Sequence, residues 1–216
     1  MPTHLVNLID RYSTLAQCQD DIQRAYDLLA NAFRNDNKLL LCGNGGSAAD
    51  SEHWAGELLK GFADPRPLPA HMRKDLNEEV ACGLQWAFPV IPLTGFSAFS
   101  TAFSNDVSPV HVFAQLVLAL GQRNDVLGVL STSGNSPNVC IAARLAHTRG
   151  LRVLALTGKS GGKLRELADV CICVPATQTP HVQELHLPIY HCLSLMLEEA
   201  FAINWSENPK GKVLNG

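Results

Sequence analysis

The sequence predicts an α/β fold: a parallel sheet of five strands with helices on both faces and a helical segment ahead of it. Three observations carry this. From residue 125 onward, short apolar runs alternate with helical stretches, the pattern of strands joined by helical crossovers. Runs such as Val153-Leu154-Ala155-Leu156 and Val170-Cys171-Ile172-Cys173-Val174 are apolar throughout and partly β-branched, which suits strands buried on both faces. Glycine- or serine-rich turns follow several runs, where a strand would hand over to a helix.

Residues 5–34 place Leu5, Leu8, Ile9, Tyr12, Leu15, Ile22, Ala25, Leu28, Leu29 and Phe33 at a roughly helical period, giving one long helix or two with a break near Ser13-Thr14. Residues 38–42 are the first strand and 47–61 a helix that Gly61 can end. Between 63 and 88 the pattern is poor. Asp64-Pro65-Arg66-Pro67-Leu68-Pro69 cannot be helical, and 78–86 is a candidate short helix. The second strand is expected over 89–94, a helix or loop over 95–105, and a helix over 110–122. Then follow strand 125–130, helix 136–148, strand 151–156, short helix 161–168, strand 169–174 and a long helix over 180–203. Pro188 inside that last helix removes a backbone hydrogen bond at a cost on the order of 3 kcal/mol and predicts a local kink. The polar end, 205–216, reads as a mobile tail.

Composition narrows the function. Hydrophobic content of 46% and charged content of 17% suit one globular core. A net charge of -3 offers no footprint for nucleic acid, so an anionic ligand would have to be held by local dipoles and a few side chains. No apolar stretch reaches the roughly 20 residues a membrane span needs, and Met1-Pro2-Thr3-His4 does not begin a signal peptide. Seven cysteines without a Cys-x-x-Cys pair point to buried free thiols in a reducing cytoplasm.

Three constellations bear chemistry. Gly43-Asn44-Gly45-Gly46-Ser47 lies between a strand and a helix, where the free N–H groups of the first helical turn attract an anion. His53 and Glu57 follow on one face of that helix, four residues apart, as a possible metal or acid/base pair. Gly43-x-Gly45-x-x-Ala48 also matches a dinucleotide fingerprint, but the acid that should follow about 20 residues on falls in a region of chain breakers. The second constellation, Ser131-Thr132-Ser133-Gly134-Asn135-Ser136, puts four hydroxyls at a strand end. A helix cap needs one, and four suggest a phosphate pocket. The third, on the last helix, is Gln183-Glu184-Leu185-His186 with His191; Gln183 and His191 lie near one face, about 12 Å apart along the axis.

On these motifs, together with Asn105-Asp106 and Leu156-Thr157-Gly158-Lys159-x-Gly161-Gly162, the chain resembles the phosphoheptose isomerases of the sugar-isomerase-domain (SIS) superfamily, from about residue 39 to 201. The resemblance implies a single SIS domain over 1–216, with helices to 36, the α/β core over 37–204 and the tail beyond. It implies a three-layer αβα sandwich on a flavodoxin-like sheet, assembled as a homotetramer with sites at subunit interfaces. Position by position, it makes Asn44, Gly45, Gly46, Ser47, Glu57, Asn105, Asp106, Ser131, Thr132, Ser133, Ser136 and Gln183 substrate-binding residues. It makes His53, Glu57, Gln183 and His191 ligands of a divalent metal, usually zinc, one per subunit, and Glu57 and His191 the catalytic acid/base pair.

The reaction so implied converts sedoheptulose 7-phosphate into D-glycero-D-manno-heptose 7-phosphate through an enediol, in heptose synthesis for lipopolysaccharide. A base takes the C1 proton and an acid supplies one to oxygen, roles that suit a carboxylate and an imidazole. Two departures stand out: the link between Glu57 and Asn105 is longer than the family's, and Pro180 stands where relatives commonly place an acid. The alternatives are isomerisation of another ketose phosphate, and a non-catalytic SIS protein that binds a protein partner. Members of that last kind lack the metal and acid/base residues, whereas Glu57 and His191 are both here.

Overall fold

The computed structural model describes residues 2–207. Its centre is a five-stranded, wholly parallel sheet in the order β2-β1-β3-β4-β5, formed by β1 (Leu39–Gly43), β2 (Val90–Pro92), β3 (Val126–Ser131), β4 (Arg152–Thr157) and β5 (Val170–Cys173). This is the flavodoxin-like order. Register runs Leu39 opposite Val126 to Gly43 opposite Leu130, and Val126 opposite Arg152 to Ser131 opposite Thr157.

Alternation along the strands builds the three layers, because successive side chains point to opposite faces. Leu39, Leu41, Leu130, Leu154 and Ile172 join one core, with Leu5, Leu29, Trp54, Leu58, Tyr190 and Leu193 from the helices. Leu40, Cys42, Leu127, Val129 and Val153 join the other, with Val117, Val139 and Ala143. The first face is covered by α1 (Thr3–Arg11), α2 (Gln19–Arg34), α3 (Gly46–Leu59) and α10 (Thr179–Glu207), the second by α7 (Val112–Leu120) and α8 (Pro137–Thr148).

Several boundaries differ from expectation for local reasons. The N-terminal helix breaks as anticipated, through a 3-10 segment at Ser13–Cys18. The second strand shrinks to Val90–Pro92 because Leu93–Gly95 turns into a 3-10 helix; Pro92, which has no N–H to donate, sits on this edge strand. The stretch 63–88 holds two short helices, α4 (Ala70–Arg73) and α5 (Glu78–Gly83), and α6 (Ser97–Asp106) settles the next segment as helix. Gly161 and Gly162 both adopt positive φ, so α9 starts only at Leu164 and ends at Leu167. The last helix continues past Pro188 to Glu207, three residues into the expected tail; the remainder of that tail, 208–216, lies outside the described residues. Among the described residues no helix is long and apolar enough to cross a membrane.

Candidate functional site

Strand β1 leads into α3 on one face of the sheet, and β3 leads into α8 on the other. Their C-terminal ends are adjacent, so this is where the sheet changes direction and a crevice opens. The glycine turn and the serine loop both stand at it. Gly45 has φ 56, and a Cβ on Gly43 would lie 2.5 Å from the Ser47 carbonyl oxygen, so the sharp entry into α3 requires glycine at these points. Asn44 and Asn138 exchange two amide hydrogen bonds of 3.0 and 2.9 Å across the crevice, tying the glycine turn to the first turn of α8.

The serine loop is held from behind. Gly134, at φ 65, lies against Gly161 so closely that a Cβ there would overlap the Gly161 carbonyl, and the Leu164 N–H donates to the Gly134 carbonyl. Ser136 occupies the N-cap of α8, yet its side chain makes no cap bond; its Oγ meets Ser131 Oγ at 3.1 Å instead. Thr132 faces Thr179 at 3.4 Å, and exposed Ser133 accepts the Asn135 N–H at 3.2 Å. Exposed Asn44, Gly45 and Gly46, and buried Ser47, line the other side of the crevice.

Helices α3 and α10 lie side by side and run in the same direction: Gln183 packs on Gly46, Tyr190 on Trp54, and further along Phe62 packs on His191. Their seam gathers His53, Glu57 and His191, one ligand atom of each lying within 4.8 Å of the others. His53 Nε2 is 3.1 Å from Glu57 Oε1, and Lys60 donates to Glu57 Oε2 at 3.0 Å. The His53 and His191 rings meet edge-on at 5.1 Å. Nε2 of His191 is buried and has no hydrogen-bond partner among the described residues, an orphaned donor/acceptor that calls for a ligand. Burial lowers the His191 pKa, the neighbouring His53 lowers it further, and Glu57 opposes both. Two imidazoles and a carboxylate suit zinc, and three protein ligands leave a coordination position open, as in catalytic zinc sites.

Gln183 packs on the start of α3. Its amide lies against Gly46, so close that a Cβ there would be 2.4 Å from Nε2, and Gly46 is seven residues, about 10 Å, before His53 on α3. Asn105 and Asp106 close the exposed end of α6 and hydrogen-bond to each other at 2.8 Å.

The sequence reading missed Tyr190, Asp50, Asn138 and Arg66. The Tyr190 hydroxyl reaches Asp50 Oδ1 at 3.3 Å and His53 Nδ1 at 2.9 Å. Burial raises the pKa of Tyr190, as does Asp50 beside it; burial also raises that of Asp50, against the Tyr190 hydrogen bond. Buried Arg66 donates to the Leu58 and Glu57 carbonyls at 2.7 and 3.2 Å and so fixes the end of α3 that carries Glu57. Asp50 had a signal, its i,i+3 spacing from His53; the others are contacts between distant segments.

A family model described as the SIS domain matches residues 5–75 and 87–158, so the unmatched 76–86 fall in the stretch that the sequence sets apart. A phosphoheptose isomerase of Azoarcus sp. is 43% identical over 175 residues, 80% of this chain and 79% of that protein. Another, from Thiobacillus denitrificans, is 40% identical over 204 residues, 89% of this chain and 93% of that one. Among solved structures, the phosphoheptose isomerase GmhA of Neisseria gonorrhoeae superposes with a TM-score of 0.72 at 33% identity, covering 90% of this chain and 93% of the other. A phosphoheptose isomerase from Francisella tularensis gives 0.72 at 30% identity, covering 92% and 100%.

Proposed function

The chain belongs to the SIS-domain family and, within it, to the phosphoheptose isomerases; from this premise we propose that it interconverts sedoheptulose 7-phosphate and D-glycero-D-manno-heptose 7-phosphate with a divalent metal, zinc by preference. It is an enzyme, an isomerase of phosphosugars. The observation that carries the metal and acid/base reading is the cluster of His53, Glu57 and His191, two of them on the helix that starts at the hydroxyl-lined crevice.

In this reading the serine loop, Ser131, Thr132, Ser133 and Ser136, takes the phosphate, and Asn44, Gly45, Gly46 and Ser47 with Gln183 take the sugar hydroxyls. Asn105 and Asp106 are kept as further substrate contacts. Remote contacts of this kind hold the reacting carbons in place. Glu57 removes the proton from C1 while His191, kept neutral by burial, gives one to the C2 oxygen; this yields the enediol. Glu57 then returns its proton to C2, and His191 recovers one from the C1 hydroxyl, leaving the aldehyde. Bound zinc would polarise the carbonyl and stabilise negative charge on its oxygen. His53, Glu57 and His191 would hold it, with Gln183, packed against Gly46, as the fourth ligand.

We read the protein as a cytoplasmic homotetramer serving lipopolysaccharide heptose synthesis. Val107, Val110 and Leu118 are exposed apolar side chains of the 107–118 segment, surface that association between copies would cover. Isomerisation of a different ketose phosphate is the second reading because Phe62, immediately before the divergent 63–88 stretch, packs on His191 at 5.1 Å.

The test is turnover of C5 to C7 ketose phosphates by the purified, metal-loaded protein. Sedoheptulose 7-phosphate should be isomerised fastest, and Glu57→Gln and His191→Gln should each lower kcat by at least 100-fold, the range of a lost acid or base, and reduce zinc content. Substrate binding without turnover at any metal supplement would refute the enzymatic reading.

A further inference from the structure

We propose that Tyr190, anchored by Asp50, is a positioning residue for His53: its hydroxyl holds the imidazole as the Nδ1–H tautomer and leaves Nε2 as the nitrogen turned to Glu57. The argument begins with the count of protons. A phenol has one to donate, and the Tyr190 oxygen has two neighbours, Asp50 Oδ1 at 3.3 Å and His53 Nδ1 at 2.9 Å. A carboxylate only accepts, so the phenolic proton goes to Asp50 and the oxygen presents a lone pair to His53. Nδ1 must then donate, and the other ring nitrogen carries the free lone pair.

That lone pair points to Glu57. His53 Nε2 and Glu57 Oε1 are 3.1 Å apart, and in this tautomer both are acceptors. Two lone pairs at that distance attract only through a shared cation. The divalent ion of the site proposed above supplies one, and in this respect the inference rests on that reading. The Tyr190–Asp50 pair would then act as the outer partner that orients a ligating histidine, a role that carboxylates and carbonyls commonly fill directly.

Packing keeps the hydroxyl where the argument needs it. Tyr190 is fully buried, its ring stacks on Trp54 at 5.8 Å and 20°, and it meets His53 edge-on at 5.5 Å. Successive residues of a helix point about 100° apart, so Tyr190 can enter the core while His191 faces the site. Asp50 and His53, one turn apart on α3, are both within reach of the single oxygen.

Nitrogen-15 NMR of the metal-free protein reads the tautomer of His53 directly. Wild type should be mainly the Nδ1–H form, and Tyr190→Phe, which keeps the stacked ring, should shift the population toward Nε2–H. Zinc titrated against a chromophoric chelator should bind the variant 10- to 100-fold more weakly, the usual effect of losing an outer-sphere partner. A role confined to packing would move the urea midpoint and leave both readouts alone. Wild-type His53 found as the Nε2–H form, or a variant with unchanged tautomer and zinc affinity within twofold, overturns the proposal. Zinc that fails to bind wild type would overturn the metal reading, while the tautomer measurement still decides what Tyr190 does.

Discussion

Glu198→Ala should unfold this protein more easily than any conservative change in its cores, and the reason is local. The Glu198 carboxylate is 3% exposed and accepts four hydrogen bonds: from the Phe62, Ala63 and Asp64 N–H groups at 2.9, 2.8 and 3.2 Å, and from Arg66 Nε at 2.7 Å. Arg66 is fully buried, 4.7 Å above the Phe88 ring. Burial alone would raise the Glu198 pKa, but the three backbone donors and Arg66 more than offset it and bring it below the ordinary value. Removing one partner of such a buried pair costs about 3–5 kcal/mol. Three N–H groups lose their acceptor as well, so the upper end applies. For a chain of this size that lowers Tm by roughly 6–20 °C. Arg66→Met should cost less, about 1–3 kcal/mol, since Glu198 keeps its three backbone donors. Urea unfolding of both variants measures the order. A loss below 1 kcal/mol for Glu198→Ala, or the reverse order, would show that the carboxylate does not organise the 62–66 turn.

Two more outcomes follow from buried or clustered polar groups. His186 is fully buried and burial holds its pKa down at about 4, against 6.5 in the unfolded chain, with the Thr157 backbone opposing only in part. The unfolded state therefore binds the extra proton between pH 6.5 and 4: stability is full above 6.5 and falls by roughly 3 kcal/mol on the way down to 4. His186→Leu should flatten that part of the pH profile of the urea midpoint, and an unchanged slope would assign the acid sensitivity to other groups. Ser133→Ala should raise KM by roughly 10-fold or more, one hydrogen bond to a charged group, with kcat within about twofold; an unchanged KM would reduce the loop to a structural turn.

What could be read from the sequence was what is local. Val153–Leu156 and Val170–Val174 are continuous apolar runs, and Gly43-Asn44-Gly45-Gly46 and Ser131–Ser136 sit between strand and helix, so the strands and both crevice loops follow from short-range chemistry. His53 and Glu57 were legible for the same reason, a four-residue spacing on one helix. Arg66 was not. It lies among prolines that forbid regular structure, and its carboxylate partner is 132 residues away. The Tyr190–His53 contact spans 137 residues and the Asn44–Asn138 pair 94, and no periodicity encodes either. Gln183 shows the converse limit: helical phase places it on the face of His191, but phase does not say that its amide packs against Gly46.

These contacts divide the site by mechanical character. The crevice groups stand on loops, and the acid/base and metal-ligating candidates stand on two packed helices. Loops suit a phosphate, whose oxygens accept hydrogen bonds from several directions. Proton transfer and metal coordination tolerate little displacement, and groups on helices locked by packing are held more narrowly than groups on loops. The Trp54–Tyr190 stack fixes the spacing of α3 and α10 beside His53, and the Arg66–Glu198 turn fixes it beyond Glu57. Glu57 lies between these two clamps. The 62–66 turn, which leads out of α3 into the stretch that the sequence sets apart, is therefore part of what holds the candidate base in place, and a change there should reach the chemistry through the end of α3 without touching substrate.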